Sequence, residues 1–161
     1  MKKNRQEQLI TLQHAESDAE ICACFDVMRE LRPNLTEDSS FLEQVRRMEK
    51  QGYHLLIALE DNKPVALAGY RDKEMIIHGR FIYVDDLITS ETRRGQRLGE
   101  RLLEHVFQLA KEQGYSKVIL DTGIGNVLAQ RFYYRMGMLA AGMHFSYELG
   151  NRDEQYSGFT L

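Results

Sequence analysis

Residues 85–103 constrain the fold of this chain more than any other stretch. They hold an apolar run with two adjacent carboxylates, Asp85 and Asp86, then a basic turn, then an amphipathic helical run. A strand that turns directly into a helix aims the first helical N–H groups past the end of the strand, and those groups lack intrahelical partners. The helix dipole adds partial positive charge at the same point. Arg93, Arg94 and Arg97 add full charges, while Gly95 and Gly99 let backbone come close to an anion. Together these features suit a pyrophosphate group. A P-loop is excluded, because no Gly-Lys-Ser/Thr follows the turn.

The rest of the chain supplies elements around this centre. Residues 9–12 predict a first strand and residues 17–31 a helix, with Ser17 as N-cap, Glu20 completing a capping box, and Pro33 and Asn34 ending it. Residues 36–50 predict a second helix capped by a hydroxyl, with Glu37 and Asp38 in its first turn. Residues 53–59 and 64–70 predict a hairpin across the turn at 60–63, and residues 74–77 and 80–89 a further strand pair through His78-Gly79. Within that last strand, alternation puts Tyr83, Asp85 and Leu87 on one face and Val84, Asp86 and Ile88 on the other.

The clearest helix spans residues 96–113, where Leu98, Leu102, Leu103, Val106, Phe107 and Ala110 form one apolar stripe and Gly114 stops it. A short strand at 117–121, a helix at 126–136 ended by Gly137, a closing strand at 140–149 and a polar tail at 150–161 complete the pattern. The order predicts an α/β (α+β) arrangement: a mixed, mostly antiparallel central sheet with a splayed parallel pair, flanked by about four helices.

Composition decides between function classes. With 161 residues, 43% of them apolar, the chain suits a single domain over residues 1–161. It has no apolar run long enough for a membrane span and no apolar segment after its basic first residues, so a cytoplasmic location is expected and no membrane partner. A net charge of −3 argues against a dedicated nucleic-acid binder. Cys22 and Cys24 lie at i,i+2, where two side chains on a helix do not face each other, so neither a disulfide nor a Cys-x-x-Cys metal site is indicated. The five histidines show no metal-ligand spacing, and no metal is assigned.

On these residues the chain resembles the GCN5-related N-acetyltransferase (GNAT) superfamily. The likeness runs in register over residues 53–149. The family's Arg/Gln-x-x-Gly-x-Gly/Ala at the start of a long helix has its counterpart in Arg94-Gly95-Gln96-Arg97-Leu98-Gly99. A second pattern, Asn-x-x-Ala-x-x-x-Tyr-x-x-x-Gly-aromatic, matches Asn126, Ala129, Tyr133 and Gly137, with Met138 in place of the aromatic. The segment Tyr83-Val84-Asp85-Asp86-Leu87 is similar to the acidic strand of the polyamine-acetylating branch. Arg97 stands where the family most often has its first loop glycine, so its side chain must point away from a phosphate or reach one itself.

The resemblance implies acetyl-CoA as cosubstrate. By position, Leu87, Ile88 and Thr89 would contact the pantetheine arm through their backbone. Arg94, Gly95, Gln96, Arg97, Leu98, Gly99 and Glu100 would hold the pyrophosphate, and Asn126 would add a cofactor contact or cap its helix. The family's usual reaction is direct attack of an amine on the thioester in a ternary complex. An alkylammonium, with a pKa of about 10.4, must first lose a proton, and the departing thiolate needs a donor. The resemblance gives the first task to Asp85, alone or through a water chain, and the second to Tyr133. Acidic residues of the first half (Glu37, Asp38, Glu43) are expected to favour a small cationic amine as acceptor. A protein or peptide amine, and a CoA-binding regulatory module with vestigial chemistry, are the alternatives. Small members of the family often form homodimers.

Overall fold

The computed structural model describes residues 9–147 and residue 149. These fall into two compact units, one ending at Asp121 and the other beginning at Thr122. The first unit holds a five-stranded sheet in sequential order: β1 (Ile10–His14), β2 (Tyr53–Glu60), β3 (Lys63–Met75), β4 (Gly79–Thr89) and β5 (Val118–Leu120). The first three pairings are antiparallel and β4–β5 is parallel. The mixed sheet with one parallel pair is the one the residue pattern predicts.

Helices α1 (Asp18–Ala23), α2 (Phe25–Leu31) and α3 (Asp38–Glu49) pack with one face of the sheet, where Ile21, Val27, Phe41, Tyr53, Leu55, Ile57 and Leu67 form a buried core. The Ser17–Glu20 capping box is present, with both reciprocal bonds made. The single early helix expected at 17–31 is two, meeting at Cys24. Nor does a hydroxyl cap α3: its N-cap is Glu37, and no side chain bonds to the first turn.

The crossover between the parallel strands is α4 (Leu98–Glu112). Leu98, Leu102, Leu103, Val106 and Ala110 are buried, so the predicted stripe is the one packed on the sheet's other face. Gly114 ends α4 with a positive φ of 76°; its N–H and that of Tyr115 return to the carbonyls of Lys111 and Ala110.

Two strand expectations are corrected. Residues 64–70 and 74–77 are not separate strands: β3 runs unbroken from Lys63 to Met75, because the polar residues Arg71, Asp72 and Lys73 keep their pairing with β4. Asp61 and Asn62, both with positive φ, make the two-residue turn that joins it to β2. The closing strand expected at 140–149 is also absent: residues 140–147 have no regular structure, residue 148 lies outside the described residues, and Met143, Phe145 and Tyr147 are exposed. Alternation alone specifies no partner for such a segment. The tail at 150–161 lies outside the described residues.

Four side chains meet on the α4 side of the sheet. The Nε2 of His14 lies 2.8 Å from the Tyr70 hydroxyl, with the rings of His54 and His105 at 6.1 and 6.4 Å. Burial, then the nearby His54 and His105, hold the pKa of His14 below the ordinary histidine value; Glu16 works weakly the other way. Since the unfolded chain binds that proton more readily, this site withdraws stability as pH falls through about 6.5. The unfolding midpoint of the native protein is therefore expected to drop between pH 7 and 5 more steeply than that of His14→Gln. Parallel curves would remove His14 from the acid response.

Candidate functional site

The site begins where two strands part. β4 pairs with β5 only through Ile82, Tyr83 and Val84. From Asp85 to Thr89 it continues with β3 on one side, and no described strand pairs with its other edge. An open edge of this kind presents backbone donors and acceptors to an extended ligand. Leu87, Ile88 and Thr89 lie along it, half-buried.

At the parting point the register shifts. Tyr70 pairs with Val84 but Gly69 pairs with Asp86, which leaves Asp85 as the extra residue of a β-bulge. Simple alternation would set Asp85 and Asp86 on opposite faces; the structure overturns that. The bulge carries Asp86 and Ile88 onto the face of Tyr83, and Ile88 packs against the core around Tyr53. Both carboxylates bond to groups on this side. Asp85 Oδ2 accepts from Nε of Arg71 at 2.8 Å, while Oδ1 accepts no hydrogen bond among the described residues. Asp86 accepts from Arg32 at Oδ1 (2.8 and 3.0 Å) and from the Tyr53 hydroxyl at Oδ2 (2.9 Å). Next to them, the Tyr83 hydroxyl donates to Asp121 at 2.6 Å. Burial, and after it the neighbouring carboxylates, raise the phenols of Tyr53 and Tyr83, so both remain protonated donors.

Beyond Thr89 a 3-10 turn (Glu91–Arg93) leads to α4. Glu30 of α2 accepts from the Ser90 hydroxyl and the Glu91 N–H, at 3.0 and 2.8 Å. Gly95 (φ 79°) and Arg97 (φ 61°) both occupy the left-handed region. Arg97 therefore adopts the backbone conformation that favours glycine, at a strain of about 1 kcal/mol. It is also the N-cap of α4, and its side chain does not cap the helix. Instead Arg97 pairs with Glu100, its Nε 2.7 Å from Oε2. The predicted start of this helix at Gln96 moves to Leu98, because the left-handed Arg97 cannot belong to it.

The three arginines of the turn thus divide. Arg93 points back to Glu60 of β2, Nε to Oε2 at 2.6 Å, and Glu60 is only 6% exposed. Arg97 is held by Glu100, and the exposed side chain of Arg94 makes no bond among the described residues. Arg94 and Gln96 precede this helix start in the chain, and Leu98, Gly99 and Glu100 form its first turn.

In the second unit, α5 (Val127–Arg135) has Asn126 as its N-cap, the side chain accepting from the Ala129 N–H at 3.2 Å. Gly137 (φ 79°) closes it, as predicted. Tyr133 lies two turns beyond Asn126, its ring 5.4 Å from that of Phe132. Burial raises its phenol pKa above the ordinary tyrosine value. Tyr134 is 57% exposed.

Arg32, Arg71, Tyr53, Glu30 and Glu60 escaped the sequence reading. Each meets its partner across a long stretch of chain, and none sits in a local motif. Glu37 and Asp38 line a groove with Cys22, Phe25 and Asp26, and Glu43 pairs with Arg47 along α3. Among the described residues, no group of three or more His, Cys, Asp or Glu side chains is arranged to hold a metal ion, and no helix is long and apolar enough to cross a membrane.

Comparison with known proteins bears on this arrangement. The acetyltransferase (GNAT) family model matches residues 17–138. The chain is 27% identical over 126 residues to the uncharacterized N-acetyltransferase YhdJ of Bacillus subtilis, covering 78% of this chain and 88% of that one. It is 28% identical over 112 residues to glucosamine 6-phosphate N-acetyltransferase 1 of Dictyostelium discoideum, covering 66% and 69%. Among solved structures, the aminoglycoside N-acetyltransferase AAC(6')-Iy in complex with CoA superposes with a TM-score of 0.76 at 13% identity, over 87% of this chain and 94% of that one.

Proposed function

The chain belongs to the acetyltransferase (GNAT) family and is an N-acetyltransferase, and from that premise we propose that it moves the acetyl group of acetyl-CoA to the primary amine of a small cationic molecule, by direct attack in a ternary complex. The observation that carries this reading is the open edge of β4, which starts at the Asp85 bulge and runs into the start of α4. A pantetheine arm would lie along Leu87, Ile88 and Thr89. The pyrophosphate would rest on the turn from Arg94 to Glu100, with Gly95 and the amides of Leu98 and Gly99 closest, and with Arg94, Gln96 and Arg97 at its rim. Asn126 would add a cofactor contact beside its capping bond.

Asp85 takes the proton of the amine. Its Oδ1 is open, and Arg71 fixes the carboxylate from the other oxygen. An arriving ammonium is drawn to the Asp85 charge and leaves neutral, with a lone pair to attack. Tyr133 protonates the departing thiolate, and the proton that the attacking nitrogen loses as the amide forms restores its phenol. Small-molecule amines are the acceptors that the names of the Dictyostelium enzyme and of the aminoglycoside enzyme state, which supports the same class here. The free thiols Cys22 and Cys24 fit a reducing compartment such as the cytoplasm.

The test is thiol release from acetyl-CoA with a panel of polyamines, aminoglycosides, amino sugars, amino acids and lysine or N-terminal peptides. Release with a small amine is expected, and Asp85→Asn is expected to lower kcat for it by roughly 10²-fold. Release with peptides alone would replace the acceptor class. Acetyl-CoA binding without release in any well would favour a binding module.

A further inference from the structure

Asp85 and Asp86 are adjacent and chemically identical, yet the structure treats them differently. Both oxygens of Asp86 are occupied, one by Arg32 and the other by the Tyr53 hydroxyl, whereas Asp85 keeps Oδ1 open. Arg32 does more than neutralise Asp86: its Nη2 also donates to the backbone carbonyl of Asp85 at 2.9 Å. That carbonyl belongs to the bulge residue. Because a trans peptide is planar, fixing the carbonyl of Asp85 also fixes the direction of the Asp86 N–H.

The Tyr53 phenol reaches Asp86 by crossing directly over Gly69, the bulge's partner on β3. A Cβ at Gly69 would lie 2.0 Å from the Tyr53 hydroxyl oxygen and 2.8 Å from Asp86 Oδ2. Gly69 has no positive φ, so clearance explains the missing side chain. Tyr53 is 2% exposed and Arg71 lies over its ring at 5.5 Å, so the same tyrosine supports the arginine that holds Asp85.

We propose that Tyr53, Asp86 and Arg32, with Gly69 as clearance, are a positioning latch that sets the β4 bulge and aims Asp85 at the acceptor amine. They act through the shape of the bulge, and Arg32 ties that shape to the end of α2. The inference rests on the acetyltransferase reading above and adds to it the groups that separate the working carboxylate from its neighbour.

Two readouts test it, one of them independent of turnover. The variants are Tyr53→Phe, which keeps the ring in the core, and Arg32→Lys and Arg32→Ala at a half-exposed position. Amide hydrogen exchange over residues 84–87 is expected to quicken at least tenfold in Tyr53→Phe and Arg32→Ala. With the preferred amine, kcat is expected to fall at least tenfold while the Kd for acetyl-CoA stays within about twofold. Arg32→Lys is expected not to rescue, since one ammonium cannot span the Asp85 carbonyl and the Asp86 carboxylate as the guanidinium fork does. Unchanged exchange in both variants overturns the latch whatever the turnover. So does quicker exchange with unchanged kcat, or a loss of acetyl-CoA affinity in step with kcat. A native protein that releases no thiol with any amine sinks the proposed function, and exchange alone then decides the latch.

Discussion

Arg93→Ala is expected to lower the unfolding free energy by about 3 kcal/mol, a fall of roughly 6–12 °C in Tm for a chain of this size. The reason is Glu60. Its carboxylate lies almost wholly inside the first unit, and Arg93 reaches it with Nε at 2.6 Å and Nη2 at 2.5 Å. Removing the guanidinium leaves a charge without solvent or partner, which costs far more than the pair itself contributes. The same physics makes the prediction asymmetric. Replacing both members by apolar residues, Glu60→Leu with Arg93→Met, is expected to restore most of the loss, so the double-mutant cycle should be strongly non-additive. A single-mutant cost below about 1 kcal/mol would reduce the pair to an ordinary surface bridge. Arg93 ends the turn that delivers the chain to α4, so weaker acetyl-CoA binding is expected to accompany the lost stability.

Tyr133→Phe is expected to lower kcat by about 10² to 10⁴, with the Kd for acetyl-CoA near its native value. A CoA thiolate leaves an acyl carbon more readily when a donor meets it, and a phenol kept protonated by burial is such a donor at neutral pH. Phenylalanine keeps the ring and its contact with Phe132 while deleting the hydroxyl. Tyr134→Phe is the matched control: it lies about 100° around α5 from Tyr133, its side chain is exposed, and turnover should be unaffected. Native kcat in Tyr133→Phe would take the acid role away from this residue.

What the sequence decided by itself is local. The buried stripe of α4, the Ser17–Glu20 box, the glycine stops at Gly114 and Gly137 and the two-residue turn at Asp61-Asn62 all depend on residues within a few positions of one another, so periodicity and capping chemistry reveal them. The two spaced motifs pointed to the family for the same reason, since the turn at Arg94–Gly99 and the helix after β5 carry their chemistry in contiguous residues. The site divides along this line. The splayed strand pair and the turn into α4 were legible, the helix start only to within two residues. The bulge was not, because an extra residue is defined only by the register between two strands, and one strand read alone shows unbroken alternation. Only tertiary structure put Asp85 and Asp86 on one side of the sheet. It also chose Arg71 and Arg32 as their partners and made Arg93, read from sequence only as one of three charges on the turn, the counter-ion of Glu60. Charges separated by long stretches of chain meet according to packing, and burial decides what each meeting is worth.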